Sequence, residues 1–215
     1  MKQFHIFTEG HDRKFLLDYI EVEFETSLNA IPNSEGGIKK LDCITSTGGW
    51  TQLKSETYRD KMKQNTASNI INLVIFDADT ASNGGGFATR KAEIEAWKTT
   101  YGLNFELFLF PNNSIDGAFE SLLEQIINLQ NAPVFDCWKK FEDCLPTKTT
   151  CTKNPLTIPA KKSKIYAYME VLHDETKSEK DKVKDPNRDF KNTQHWDLNA
   201  AALKPLKDFL HIHLD

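Results

Sequence analysis

Asn72-Leu-Val-Ile-Phe-Asp-Ala-Asp-Thr80 is the stretch whose reading decides the fold. Four consecutive apolar residues, Leu73 to Phe76, stand between polar neighbours, which is the pattern of a short strand buried on both faces. The run then delivers Asp77 and Asp79 to its exit. Desolvating a carboxylate is costly, so two of them at the end of a buried strand suggest a cation beside them. Magnesium suits such a place because it takes oxygen ligands, keeps several waters and needs only one or two protein carboxylates. A surface turn in which one aspartate caps the next segment would present the same letters.

Working outward, three more apolar runs read as strands: Phe4 to Thr8, Leu41 to Thr45 and Phe105 to Phe110. Helical spacing lies between them, in Phe15, Leu16, Tyr19 and Ile20, in a polar stretch from Thr51 to about Gln64, and from Thr89 to Tyr101. Gly48-Gly49, Gly84-Gly85-Gly86 and Pro111-Asn112-Asn113 follow successive strands as turns. This alternation predicts an α/β core with a mainly parallel sheet of about four strands flanked by helices. Ligands in such sheets bind where the strands end. Beyond residue 130 the pattern changes to amphipathic helices over Val134–Leu145, Ser163–Leu172 and Leu198–Leu210. The expected organisation is therefore a core over 1–130 and a helical C-terminal extension over 131–215, the two packing as one domain or as neighbours. Residues 174–191 are nearly all charged or polar and read as a mobile loop, because few apolar groups offset the entropy of ordering them.

The 215 residues are 39% hydrophobic with 14 Phe and 4 Trp, too apolar for a disordered chain, and no run is long enough to span a bilayer. The amino-terminal residues read as a strand, not as a signal peptide, which points to the cytoplasm. Four cysteines with no CxxC pair read as thiols, not as a zinc knuckle. The net charge of -4 is uneven: residues 139–191 sum to +4 and the remainder to -8. Acidic chemistry is thus expected in the first part, and any attraction for backbone phosphate in the second.

Glu9 stands just beyond the first strand in Phe4-His-Ile-Phe-Thr-Glu-Gly-His-Asp12, with Gly10 allowing a tight turn. If the first and third predicted strands are neighbours, Glu9 and the two aspartates face one cavity. Glu9-Gly10 followed by Asp77-Ala78-Asp79 resembles the Toprim domain shared by topoisomerases, bacterial primases and the overcoming-lysogenization-defect nucleases. Phe108-Leu-Phe-Pro-Asn-Asn113, Gly117-Ala-Phe-Glu-Ser-Leu-Leu123 and the leucine and phenylalanine pattern of Leu203 to Leu210 resemble more closely a small Toprim-like family of prokaryotes. The resemblance implies a Toprim, Rossmann-like core and ligation of one or two magnesium ions by Glu9, Asp77 and Asp79.

Within that resemblance Glu120 is a further candidate ligand, or else an ordinary first-turn acid favoured by the helix dipole. Asp12 either assists the metal or caps the first helix. The nuclease relatives use a downstream basic residue, which directs attention to Lys161, Lys162 and above all Lys164; the same lysines also read as a solvated helix start. The implied function is magnesium-dependent cleavage of nucleic-acid phosphodiesters, DNA or RNA, with manganese as substitute, in a defence or repair system that could include a protein partner such as an ATPase. A non-catalytic domain that binds nucleic acid or a partner is the alternative. A third reading takes Asp77 to Thr80 as the nucleophile motif of a haloacid-dehalogenase-type phosphatase, in which Asp77 attacks phosphorus, Asp79 is the acid and Glu9 has no role.

Overall fold

A computed structural model describes residues 2–10, 12–26, 28, 31–32, 38–39, 43–151, 154–173 and 176–215. Its strands are β1 (Phe4–Thr8), β2 (Ile31–Pro32), β3 (Ile38–Lys39), β4 (Ile44–Ser46), β5 (Ile71–Asp77) and β6 (Glu106–Phe110). Four form a parallel sheet in the order β4-β1-β5-β6, while β2 and β3 make a short antiparallel ribbon. The predicted strand over Leu41–Thr45 begins at Ile44; Leu41 and Asp42 lie outside the described residues.

Helices cover both faces: α1 (Asp12–Glu23), α2 (Trp50–Leu53), α3 (Glu56–Ala67), α4 (Phe87–Tyr101), α5 (Phe119–Leu123), α6 (Ala132–Cys144), α7 (Lys161–Val171), α8 (Lys177–Val183) and α9 (Lys204–Leu214). Because successive side chains of a strand point to opposite faces, β5 feeds two cores. Val74 and Phe76 join Leu53, Met62, Ile94 and Trp97 of α2, α3 and α4. Leu73 and Ile75 join Phe15, Leu16, Tyr168, Leu206 and Leu210 of α1, α7 and α9. The second core holds residues from both sides of position 130, so the C-terminal helices complete the cover of one sheet face. The two ends of the chain also meet, where the N–H of Lys2 donates to the carbonyl of Leu214 at 2.7 Å.

The charged segment after residue 174 departs from the loop expected for it. It carries α8 and a 3-10 turn over Asp185–Asn187, with Val183, Asp185, Arg188 and Phe190 buried; Asp174 and Glu175 lie outside the described residues. The physical reason lies in a few side chains outweighing the composition. Phe190 inserts its ring among Phe15, Phe119 and Trp196, at centroid distances of 5.3, 6.4 and 5.1 Å. Its N–H donates to the buried Asp18 at 3.1 Å. Arg188 pairs with Asp185 in the same strap. Burial opposes the charge on Asp185, but Arg188, Tyr166 and Lys162 together hold its carboxyl below the usual range.

Candidate metal centre

β1 and β5 run side by side with Thr8 opposite Ile75, so Glu9 and Asp77 leave the sheet at the same carboxyl edge. On the other side of β5, Asp77 is opposite Phe110, after which the chain loops over the edge and returns as α5. The first N–H of that short helix, from Phe119, donates to Asp77 Oδ1 at 2.8 Å. This bond fixes Asp77 and brings Glu120 to the same place. Glu9, Gly10, Asp12, Asp77, Phe119 and Glu120 together line a pocket of about 190 Å³.

The Gly48-Gly49 loop packs against Glu9. The N–H of Gly48 donates to the carbonyl of Glu9 at 2.9 Å. Gly49, at φ +128°, lies so close that a Cβ on it would stand 3.6 Å from Glu9 Oε1. Asp12 is only 4% exposed and is held by the hydroxyl of Thr8 and by the N–H of Gly10, the latter at 2.9 Å. It therefore braces the Glu9-Gly10 turn from within while lining the pocket.

The electrostatics follow from crowding acids in partly dry surroundings. Burial first, and then the charges of Glu9, Asp12 and Glu120, push the carboxyl of Asp77 well above its ordinary value, against the pull of the Phe119 N–H. Burial and the charges of Asp79 and Asp12 raise Glu9. Burial also raises Asp12, opposed by its bonds from Thr8 and Gly10. Such a group of acids favours protons or a cation.

Among the described residues no three His, Cys, Asp or Glu side chains are arranged as a ready-made metal cage. The donor set nonetheless fits a hard cation. All its side-chain donors are carboxylate oxygens, and magnesium keeps waters and needs one or two protein carboxylates, for which a pocket of about 190 Å³ leaves room. Glu9 and Asp77 would hold it, with Glu120 lining the same pocket.

The other predicted site residues do not line the pocket. Asp79 takes the left-handed conformation at φ +60° and does not line the pocket; its Oδ2 accepts from Arg90 Nη2 at 2.9 Å. Lys164 sits on α7, where its Nζ meets Glu124 Oε2 at 2.9 Å and lies 4.3 Å from the Phe135 ring centre. Lys161 donates to Ser121 Oγ at 3.0 Å and Lys162 pairs with Asp185 at 3.1 Å. None of the three lysines lines the pocket.

Arg90 is the functional candidate that sequence reasoning passed over. Its signal is readable afterwards: a cation in the first turn of a helix opposes the helix dipole and implies an acid just beyond the end.

Residues 3–214 match the model of a family described as a protein of unknown function, DUF3226. No curated protein and no solved structure matches the chain.

Proposed function

For this chain, which belongs to the DUF3226 family, we propose magnesium-dependent cleavage of nucleic-acid phosphodiesters. The observation that carries the reading is the convergence of Glu9 and Asp77, from neighbouring parallel strands, on one pocket that also holds Asp12 and Glu120. Four carboxylates at the carboxyl edge of an α/β sheet call for a cation, and a cation there attracts a phosphate that the acids alone would repel.

In this reading Glu9 and Asp77 bind the ion directly. The Phe119 N–H orients Asp77, and Asp12 orients the turn that carries Glu9, so both act as positioning groups. A bound magnesium ion supplies Lewis-acid polarisation of a phosphoryl oxygen and lowers the pKa of bound water. Glu120 lines the same pocket and would be the residue available to accept a proton from an attacking water. Manganese substitutes for magnesium because it accepts the same oxygen donors.

The test uses the purified chain with magnesium or manganese and a panel of single- and double-stranded DNA, RNA and a phosphomonoester. Cleavage of a nucleic acid that is lost in both Glu9→Gln and Asp77→Asn, with the fold intact, is the expected result. Phosphate release from the monoester that survives Glu9→Gln would instead support the dehalogenase-type use of Asp77. Inactivity on every substrate with metal bound would support a binding domain, or a site that works only with a protein partner. Metal binding is read separately: magnesium at about 10 to 100 times its dissociation constant should stabilise the fold by about 1.4 to 2.7 kcal/mol. A melt indifferent to both metals would overturn the proposal.

A further inference from the structure

The second aspartate of the Asp77-Ala78-Asp79 pair is not available in the way the first is, and the reason is a neighbouring arginine. Arg90 Nη2 lies 2.9 Å from Asp79 Oδ2 and Arg90 Nη1 lies 2.9 Å from Glu93 Oε2, with the arginine side chain only 11% exposed. A partly buried guanidinium that donates from two nitrogens to two carboxylates is held in place, unlike a surface lysine that sweeps through solvent. Its position in the first turn of α4 sets it against the helix dipole, so the acids around it are what keep it there.

Asp79 is fixed from its other sides as well. The N–H of Gly117 donates to the Asp79 carbonyl at 2.8 Å. Gly85 presses its backbone so close that a Cβ there would lie 2.5 Å from Asp79 Cβ and 3.4 Å from Arg90 Nη2. At φ +60° Asp79 is held in a conformation that non-glycine residues rarely adopt. The loop over 84–86 and the loop before α5 thus clasp Asp79 against Arg90, outside the pocket that Glu9 and Asp77 share.

We propose that the centre takes one divalent cation, not two, and that Arg90 supplies beside Asp79 the fixed positive charge that a second metal ion would otherwise bring. This inference rests on the metal reading given above. Two-metal phosphodiesterases set their ions about 3.5 to 4 Å apart and share carboxylates between them. Here the carboxylate that could hold the second ion already holds a guanidinium, and a divalent ion brought to Asp79 would meet that like charge at contact distance.

The test is the stoichiometry of manganese binding, measured by calorimetry and by the electron-paramagnetic-resonance signal of free manganese, on the full chain. The unaltered protein should bind one ion. Asp77→Asn should abolish that binding, while Asp79→Asn should weaken it by no more than about 10-fold, the loss of one nearby charge, because Asp79 is not a ligand of that ion. Arg90→Gln should uncover Asp79 and admit a second, weaker ion, whereas Arg90→Lys, which keeps the charge, should remain at one.

Two ions per unaltered chain would overturn the single-ion inference and leave the metal reading standing. No ion at all would overturn both. A loss of binding in Asp79→Asn as complete as in Asp77→Asn would also overturn the inference, and so would a single ion in a folded Arg90→Gln. Should Arg90→Gln not fold, the stoichiometry of the unaltered chain and the Asp79→Asn comparison decide the matter.

Discussion

Phe190→Ala tests the claim that the charged C-terminal strap belongs to the core and supports the site. Phe190 is 1% exposed and its ring meets Phe15, Phe119 and Trp196. Truncating a buried phenylalanine costs about 3 to 5 kcal/mol, the upper part arising where the cavity cannot collapse. The three rings around Phe190 belong to separate segments, each fixed by other contacts, so collapse is limited and about 4 kcal/mol is expected. For a chain of 215 residues each kcal/mol moves the melting temperature by about 2 to 4 °C, which gives a fall of about 8 to 16 °C.

The assays are thermal melting and urea titration, with Lys180→Ala as control. Lys180 is an exposed residue of the neighbouring α8, and its loss should stay within about 0.5 kcal/mol. Because Phe119 also touches Phe190 and orients Asp77, Phe190→Ala should weaken manganese binding by about 10-fold, the scale on which groups behind a ligand act. A destabilisation of Phe190→Ala below about 1 kcal/mol would refute the reasoning, since it would mean that the strap is undocked in solution.

Three further outcomes are expected. In metal-free protein, Asp77 keeps its proton to higher pH when folded than when unfolded, where its value is near 3.8, so stability should fall as pH rises from there through the raised folded value and then level off. Asp77→Asn should flatten that fall, and parallel urea-stability curves for the two proteins in a chelator would count against it. Gly85→Ala should destabilise by about 1 to 3 kcal/mol, because its Cβ would press to 2.5 Å from Asp79 Cβ and 2.8 Å from the Ala78 carbonyl; an unchanged melt would show that the loop does not clasp Asp79. Asp12→Ala should leave manganese bound but about 10- to 100-fold more weakly, as befits a residue bracing the Glu9 turn, and complete loss of binding would make it a ligand instead.

How far the site was legible in the sequence differs from residue to residue. Glu9 and Asp77 could be read because each follows a short apolar run, and a buried strand that ends in a carboxylate places it at the sheet edge whatever the rest of the chain does. Glu120 was readable only as one of two alternatives; the Phe119 N–H on Asp77 brings it to the pocket, and that contact spans 42 residues. The resemblance to the nucleases implies a downstream base at Lys164, yet Glu124 engages it. Ion pairing between distant elements leaves no local pattern in a sequence.

The strand and helix periods by themselves determined the parallel α/β core, since a run of apolar residues with turn signals at both ends has few other places to go. They also determined that acids gather where those strands end. Only the tertiary structure decided which acids share the pocket, that Arg90 holds Asp79 apart from it, and that the charged strap folds onto Phe15, Phe119 and Trp196. Periodicity is a property of neighbouring residues, whereas a single buried ring or ion pair draws its stability from partners far along the chain, and composition averages over the one residue that matters.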